Sequence, residues 1–216
     1  MDLSNLENNK NEFINLLRST KREGIENLIN WLENKSDFFN APSSTIYHGN
    51  FPGGLCQHSL NVYYAAKSFY NTYKELGREE KHMDNIKEDN IIIAALLHDL
   101  CKANYYKPVE KFTKDEKGNW VKYYSYKIDE KLPLGHGAKS VFIAQTFIRL
   151  TGEELCAIQW HMAMSDIGHW ISNYQKPSMQ QSFERIPLSV LIAQSDFFAS
   201  YCMEKMIDQT KENQII

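Results

Sequence analysis

No apolar run in this chain approaches the roughly 20 residues that a membrane-spanning helix needs. The longest is Ile91 to Leu97, so no span is expected. Cysteine is sparse: Cys56, Cys101, Cys156 and Cys202 are scattered without a C-x-x-C spacing, which gives no sign of a sulfur-bound structural metal site. The opening Met1-Asp2-Leu3-Ser4-Asn5 lacks the basic and then apolar pattern of a secretory signal. A reduced, cytosolic protein is the expectation. An excess of positive charge is also missing. With a formal net charge of -3 and a pI near 6.2, the chain has no general basic footprint for duplex nucleic acid. A small phosphorylated ligand is still compatible with that balance. There is no internal repeat and no low-complexity segment.

What remains is an ordinary globular composition. The 216 residues are 43% hydrophobic and 24% charged, enough for one domain with a sizeable core. Residues 1–216 are expected to form that single domain, with N-terminal helices over 1–35 and the core over 53–203. Leu3, Leu6, Phe13, Leu16 and Leu17, and then Ile25, Leu28, Ile29, Trp31 and Leu32, recur at helical spacing on either side of Gly24. The segment Asp37 to Gly54, with Pro42, Gly49, Pro52, Gly53 and Gly54, reads as a loop before a helix from Leu55 to about Leu76. Further helices are predicted over Lys87 to Cys101, Ala138 to Leu150, Gly152 to Met164 and Phe183 to Met206, with Pro187 better suited to an early helical position than an interior one. Between Tyr105 and Ile128 the pattern changes to a β-hairpin turning at Asp115 to Asn119. The predicted class is therefore an all-α bundle with an inserted hairpin.

The pair His98-Asp99 follows directly behind Ile91 to Leu97, so two ligand-type side chains arrive at the inner end of a helix that must be buried all round. A buried carboxylate must be paired, neutralised or bound to a metal. His58, His136, His161 and Asp196 each lie in or beside mostly apolar segments and are the candidate partners. Imidazole and carboxylate without thiolate is the ligand set of Fe, Mn, Zn or Ni. The cysteines are expected to stand outside it, Cys101 as an ordinary buried thiol. His82 and His169 match no such position and read as surface or packing residues.

Taken in order, His58, His98-Asp99 and Asp196 resemble the H…HD…D signature of the HD-domain metal-dependent phosphohydrolase superfamily, over Gly53 to Ala199. His98-Asp99-Leu100-Cys101-Lys102 is similar to the family's His-Asp-x-Gly-Lys variant, with Cys101 in place of glycine. Gly53-Gly54-Leu55-Cys56-Gln57-His58 resembles the Gly-Gly-Leu-x-Glu-His of members that act on nucleic acids or nucleotides. His136 and His161 fall where the binuclear branch of the superfamily has additional histidines, although Trp160 precedes His161 where many members have a second imidazole. The resemblance implies an HD-like helical bundle and two divalent transition metal ions, iron or manganese, with nickel, cobalt or zinc as alternatives. It assigns His58, His98, Asp99 and Asp196 to the first ion, with Asp99 bridging and His136 and His161 completing the second.

The implied reaction is hydrolysis of a nucleotide or short oligonucleotide phosphoester through a metal-activated water, with Asp99 and Lys102 as catalytic residues. Lys102 lies four residues after His98 and three after Asp99, so on a continuing helix its ammonium shares their face and can meet charge developing on a phosphate. A solvated lysine at a helix end is the plainer alternative. Lys139 and His48 are further candidates for substrate contact. The hairpin aromatics Trp120, Tyr123, Tyr124 and Tyr126 either stack a nucleobase or form a packed lid or self-association surface. Two rival functions remain: a di-iron oxygenase of the same superfamily, and a non-catalytic nucleotide sensor. Expected partners are a small phosphorylated substrate, a nucleotide or a short single-stranded oligonucleotide, with no duplex and no membrane. Nothing in the sequence states an oligomeric state.

Overall fold

A helix that is apolar on every side must be covered on every side, and the architecture follows from that requirement. The computed structural model describes residues 3–75, 83, 86–114, 117–163 and 174–204. His82 and His169 lie outside them, as do Leu76, Met164 and Met206, where three predicted helices were to end. The helices are α1 (Leu3–Ser19), α2 (Ile25–Asn34), α3 (Gly54–Glu75), α4 (Glu88–Leu97), α5 (His136–Gln145), α6 (Gly152–Gln159), α7 (Lys176–Arg185) and α8 (Pro187–Phe198). A 3-10 turn over Leu100–Lys102 follows α4, and a π turn over Ala199–Met203 follows α8. Every residue of α4 from Asn90 to Leu97 is buried, with α1, α3, α6 and α8 packed around it. Each fully buried Ile or Leu there contributes on the order of 1.5–3 kcal/mol. Among the described residues no single helix is long and apolar enough to cross a membrane.

Strands β1 (Tyr106–Lys114) and β2 (Trp120–Ile128) form the antiparallel hairpin, in a register that sets Tyr106 opposite Ile128 and Lys114 opposite Trp120. The chain is thus mostly helical with one two-stranded sheet among the described residues. α6 opens with a capping box: Thr151 Oγ1 accepts from the Glu154 N–H and Glu154 returns a carboxylate oxygen to the Thr151 N–H. The same fully buried carboxylate accepts from both terminal nitrogens of Arg22, at 2.5 and 3.2 Å, tying the loop before α2 to α6.

Several helix ends differ from the sequence expectation: α5 runs His136–Gln145 where Ala138 to Leu150 was expected, and α6 ends at Gln159, short of Met164. α4 stops at Leu97 rather than Cys101, because Asp99 leaves the helical region (φ -104°, ψ 20°) and the chain tightens into the 3-10 turn. The helix expected from Phe183 to Met206 is broken. Pro187 has no N–H to give to the preceding turn and drives Ile186 to an extended conformation (φ -127°, ψ 87°). α7 and α8 meet there at 105°, with Pro187 as the first residue of α8. α7 was not anticipated, since Lys176 to Gln181 offers only Pro177 and Met179 as apolar residues.

Candidate metal centre

Three imidazoles point one nitrogen inward and have the other held from behind. His98 Nδ1 lies 2.7 Å from the Ala95 carbonyl, and His161 Nδ1 lies 2.7 Å from the Ile158 carbonyl. A carbonyl only accepts, so Nδ1 carries a proton in both rings and Nε2 is the nitrogen turned inward as a candidate ligand atom. His58 Nδ1 is held in the same way by Glu204 Oε1 at 2.8 Å. The inward nitrogens converge on two buried carboxylates. His58 Nε2 is 3.2 Å from His98 Nε2, 3.2 Å from Asp196 Oδ1 and 3.6 Å from Asp99 Oδ2. His98 Nε2 is 3.4 Å from Asp99 Oδ2. On the other side of the same carboxylate, His161 Nε2 lies 3.5 Å from Asp99 Oδ1 and, though buried, has no hydrogen-bond partner.

The helices explain this convergence. His98 sits at the inner end of α4, His161 just beyond the end of α6, His58 in the second turn of α3, and Asp196 in the last turn of α8. The approach of α5 to α6 is also fixed. A Cβ on Gly137 would lie 2.1 Å from the Gln159 carbonyl oxygen, so only glycine lets the start of α5, and with it His136, come this close. The chain entering α3 is held likewise, since a Cβ on Gly54 would lie 2.0 Å from the Gly49 carbonyl oxygen.

Charge in the centre is balanced within it. Lys102 Nζ lies 2.6 Å from Asp99 Oδ2 and the side chain is buried, so the reading of Lys102 as a solvated lysine fails. Burial works against both charges, but Lys102 and His98 hold Asp99 well below the usual carboxylate range. In return Asp99 keeps Lys102 protonated despite its burial. Burial likewise opposes a proton on His58, but Glu204 and Asp196 outweigh it and raise the pKa from 6.5 to about 10. In the absence of a cation, that proton separates two imidazole nitrogens 3.2 Å apart. The His48 ring stacks 5.0 Å from the His58 ring, with Nε2 3.4 Å from Ser200 Oγ. Burial, His58 and Lys102 lower its pKa to about 4, so His48 is neutral.

Other candidates are placed differently from the expectation. Among the described residues, four sets of three donor atoms lie within 4.8 Å of one another: His48, His58 and Glu204; His58, His98 and Asp196; His98, Asp99 and His161; and Asp99, Cys101 and His136. His136 and His161 both reach Asp99, but in different sets. Lys139 turns away to Glu130, at 2.7 Å, and lies over the Tyr105 ring, tying α5 to the end of the hairpin. The expectation that cysteine stands outside the centre is corrected: Cys101 Sγ is 3.4 Å from His136 Nδ1 and 4.0 Å from Asp99 Oδ1. Glu204 was missed altogether. Its Oε1 accepts from His58 and from Asn61, at 2.8 and 3.0 Å, and the π turn between it and Asp196 brings it back onto α3. Nothing in the local pattern of the sequence marks it.

The donor set fits a divalent cation. It offers imidazoles whose Nδ1 atoms are anchored from behind, two carboxylates and an orphaned buried nitrogen, which is what a metal ligand shell with its outer hydrogen bonds requires. A cation can take the place of the proton that His58 carries. The profile described as HD domain matches residues 55–216. The chain belongs to the HD domain family. No curated protein and no solved structure gives a significant match. HD domains are in general metal-dependent hydrolases, and the HD dyad itself is His98-Asp99, at the foot of the fully buried helix. The matched region takes in every residue of the four donor sets except His48, which approaches from the loop before α3.

Proposed function

We propose that this chain is a binuclear metal-dependent phosphohydrolase acting on a nucleotide or short oligonucleotide phosphoester. The observation that carries the reading is the division of one carboxylate: Asp99 turns Oδ2 towards His58, His98 and Lys102, and Oδ1 towards His161 and Cys101. That suits a bridging ligand between two cations. When bound, two such ions supply electrophilic polarisation of a phosphoryl group and a water acidic enough to act near neutral pH. His58, His98 and Asp196 would hold the first ion and His161 and His136 would serve the second, each from its own side of Asp99. Lys102 is the residue we assign to substrate. With Asp99 engaged as a metal ligand, the Lys102 ammonium would be free of the ion pair and could meet a phosphoryl oxygen from a site with little water.

A nucleotide is favoured over a bare phosphate by the base of the hairpin. Tyr105 stands 6.1 Å from the His136 ring, and Tyr106, whose hydroxyl donates to the Ser43 carbonyl, packs beside it at 4.8 Å. The exposed Trp120 is another matter. It pairs with Lys114, eight residues along the strand from Tyr106, and eight residues of strand cover about 26 Å. Stacking on Trp120 therefore belongs to a substrate several nucleotides long.

Release of phosphate from nucleotides, and of mononucleotides from short oligonucleotides, with Mn, Fe, Co or Ni added, tests the proposal. Turnover that is lost in Asp99→Ala supports it. Metal binding with no turnover of any phosphorylated compound would sink it, as would oxygen uptake by the iron-loaded chain in place of phosphate release.

A further inference from the structure

Cys101 is two residues beyond the HD aspartate, and its surroundings are those of a ligand. The thiol is 2% exposed, 3.4 Å from His136 Nδ1 and 4.0 Å from Asp99 Oδ1. With zinc-type bond lengths, tetrahedral sulfur–nitrogen and sulfur–oxygen ligand pairs are about 3.6 Å apart, and the two observed separations bracket that value. The backbone that carries the thiol is also held in place. The Cys101 N–H donates to Ser140 Oγ at 3.0 Å, and Ser140 is fully buried. Ser140 lies one turn after His136 on the same face of α5, so one hydrogen bond ties the backbone that carries the thiol to the helix that carries the imidazole. A separate observation lies on the same carboxylate oxygen, in the neighbouring donor set of His98, Asp99 and His161. The unpartnered, buried Nε2 of His161 lies 3.5 Å from Asp99 Oδ1, the oxygen nearest the thiol.

We propose that Cys101 is a metal ligand, forming with Asp99 and His136 a thiolate-containing second site selective for a borderline cation such as zinc or iron(II). The inference rests on the binuclear reading above. The donor set is what makes the site selective. A hard ion such as Mn2+ gains little from sulfur, whereas zinc, cobalt and iron(II) gain from it. The thiol gives its proton to solvent on binding and the thiolate donates a lone pair to the cation, with no change of oxidation state. His136 is exposed at the mouth of the site.

The test is cobalt(II) titration of the full chain followed by absorption spectroscopy. The expected result is ligand-field bands from two cobalt ions together with a near-ultraviolet thiolate-to-cobalt charge-transfer band. In Cys101→Ser the charge-transfer band disappears, one cobalt is retained, and affinity for the second falls by at least ~10-fold. Cys56, Cys156 and Cys202 all remain in that variant, so the band cannot be theirs. Two bound cobalt ions without a charge-transfer band, or a band that survives Cys101→Ser, overturns the Cys101 site and leaves the binuclear reading standing. Binding of no cobalt overturns both. Should Cys101→Ser fail to fold, X-ray absorption of the zinc-loaded wild type decides. A sulfur scatterer at about 2.3 Å is expected, and a shell of nitrogen and oxygen alone overturns the proposal.

Discussion

Replacing Lys102 with methionine separates its two roles, because the stem is kept and only the charge is removed. In the metal-free chain the ammonium is 2.6 Å from Asp99 Oδ2, with both side chains buried. Taking away one partner of a buried ion pair strands the other charge, at a cost of about 3–5 kcal/mol. When a cation occupies the site, Asp99 is compensated without Lys102, and the cost of the same substitution falls to about 1 kcal/mol. Closing that cycle leaves about 2–4 kcal/mol in metal binding, so Lys102→Met binds metal about 30- to 700-fold more tightly than wild type. If Lys102 also meets the phosphoryl oxygen, kcat falls by about 100-fold or more even though the metal is held more firmly. Chemical unfolding with and without zinc gives the two stabilities, and competition with a chelating dye gives the affinity. Equal destabilisation with and without zinc, or weaker metal binding in the variant, would refute the reasoning. Unchanged turnover would remove Lys102 from the reaction.

In the metal-stripped chain the folded pKa of His58 is raised, so the stability contributed by its proton is fully present below its ordinary 6.5 and is lost as pH rises through about 10. Glu204→Gln keeps acceptors for His58 and Asn61 but removes the charge, and it should reduce that loss; urea unfolding across this pH range is the measurement. Gly137→Ala puts a methyl group against the Gln159 backbone. It should destabilise the fold by about 1–3 kcal/mol and lower the cobalt stoichiometry by moving His136, as read by thermal melting and titration.

The sequence made the centre legible where a ligand sits on a strongly patterned element. Ile91 to Leu97 is apolar on all sides, so the polar dyad behind it had to be satisfied, and the observed burial of α4 follows from that alone. His58, His161 and Asp196 were found because their order resembles a family signature, not because any one of them stands out. Glu204 and Cys101 were not legible for physical reasons. Glu204 reaches His58 through a π turn, which no hydrophobic period announces. Cys101 meets His136 only because Ser140 and Gly137 bring α5 against the 3-10 turn and α6. Lys139 was placed near the site by its spacing after His136; its pairing with Glu130, across the end of the hairpin, is not written in helical spacing. The broken helix at Ile186 was half legible: Pro187 was assigned to an early helical position, but the polar α7 before it gave no apolar stripe to detect.

The most direct test of the binuclear centre is elemental analysis of protein purified anaerobically without chelator, wild type beside Asp99→Ala. About two transition metal ions per wild-type chain and none in the variant is the predicted result. No metal in the wild type, even after reconstitution with zinc, iron or manganese, would mean that the buried His and Asp residues form a self-satisfied polar core.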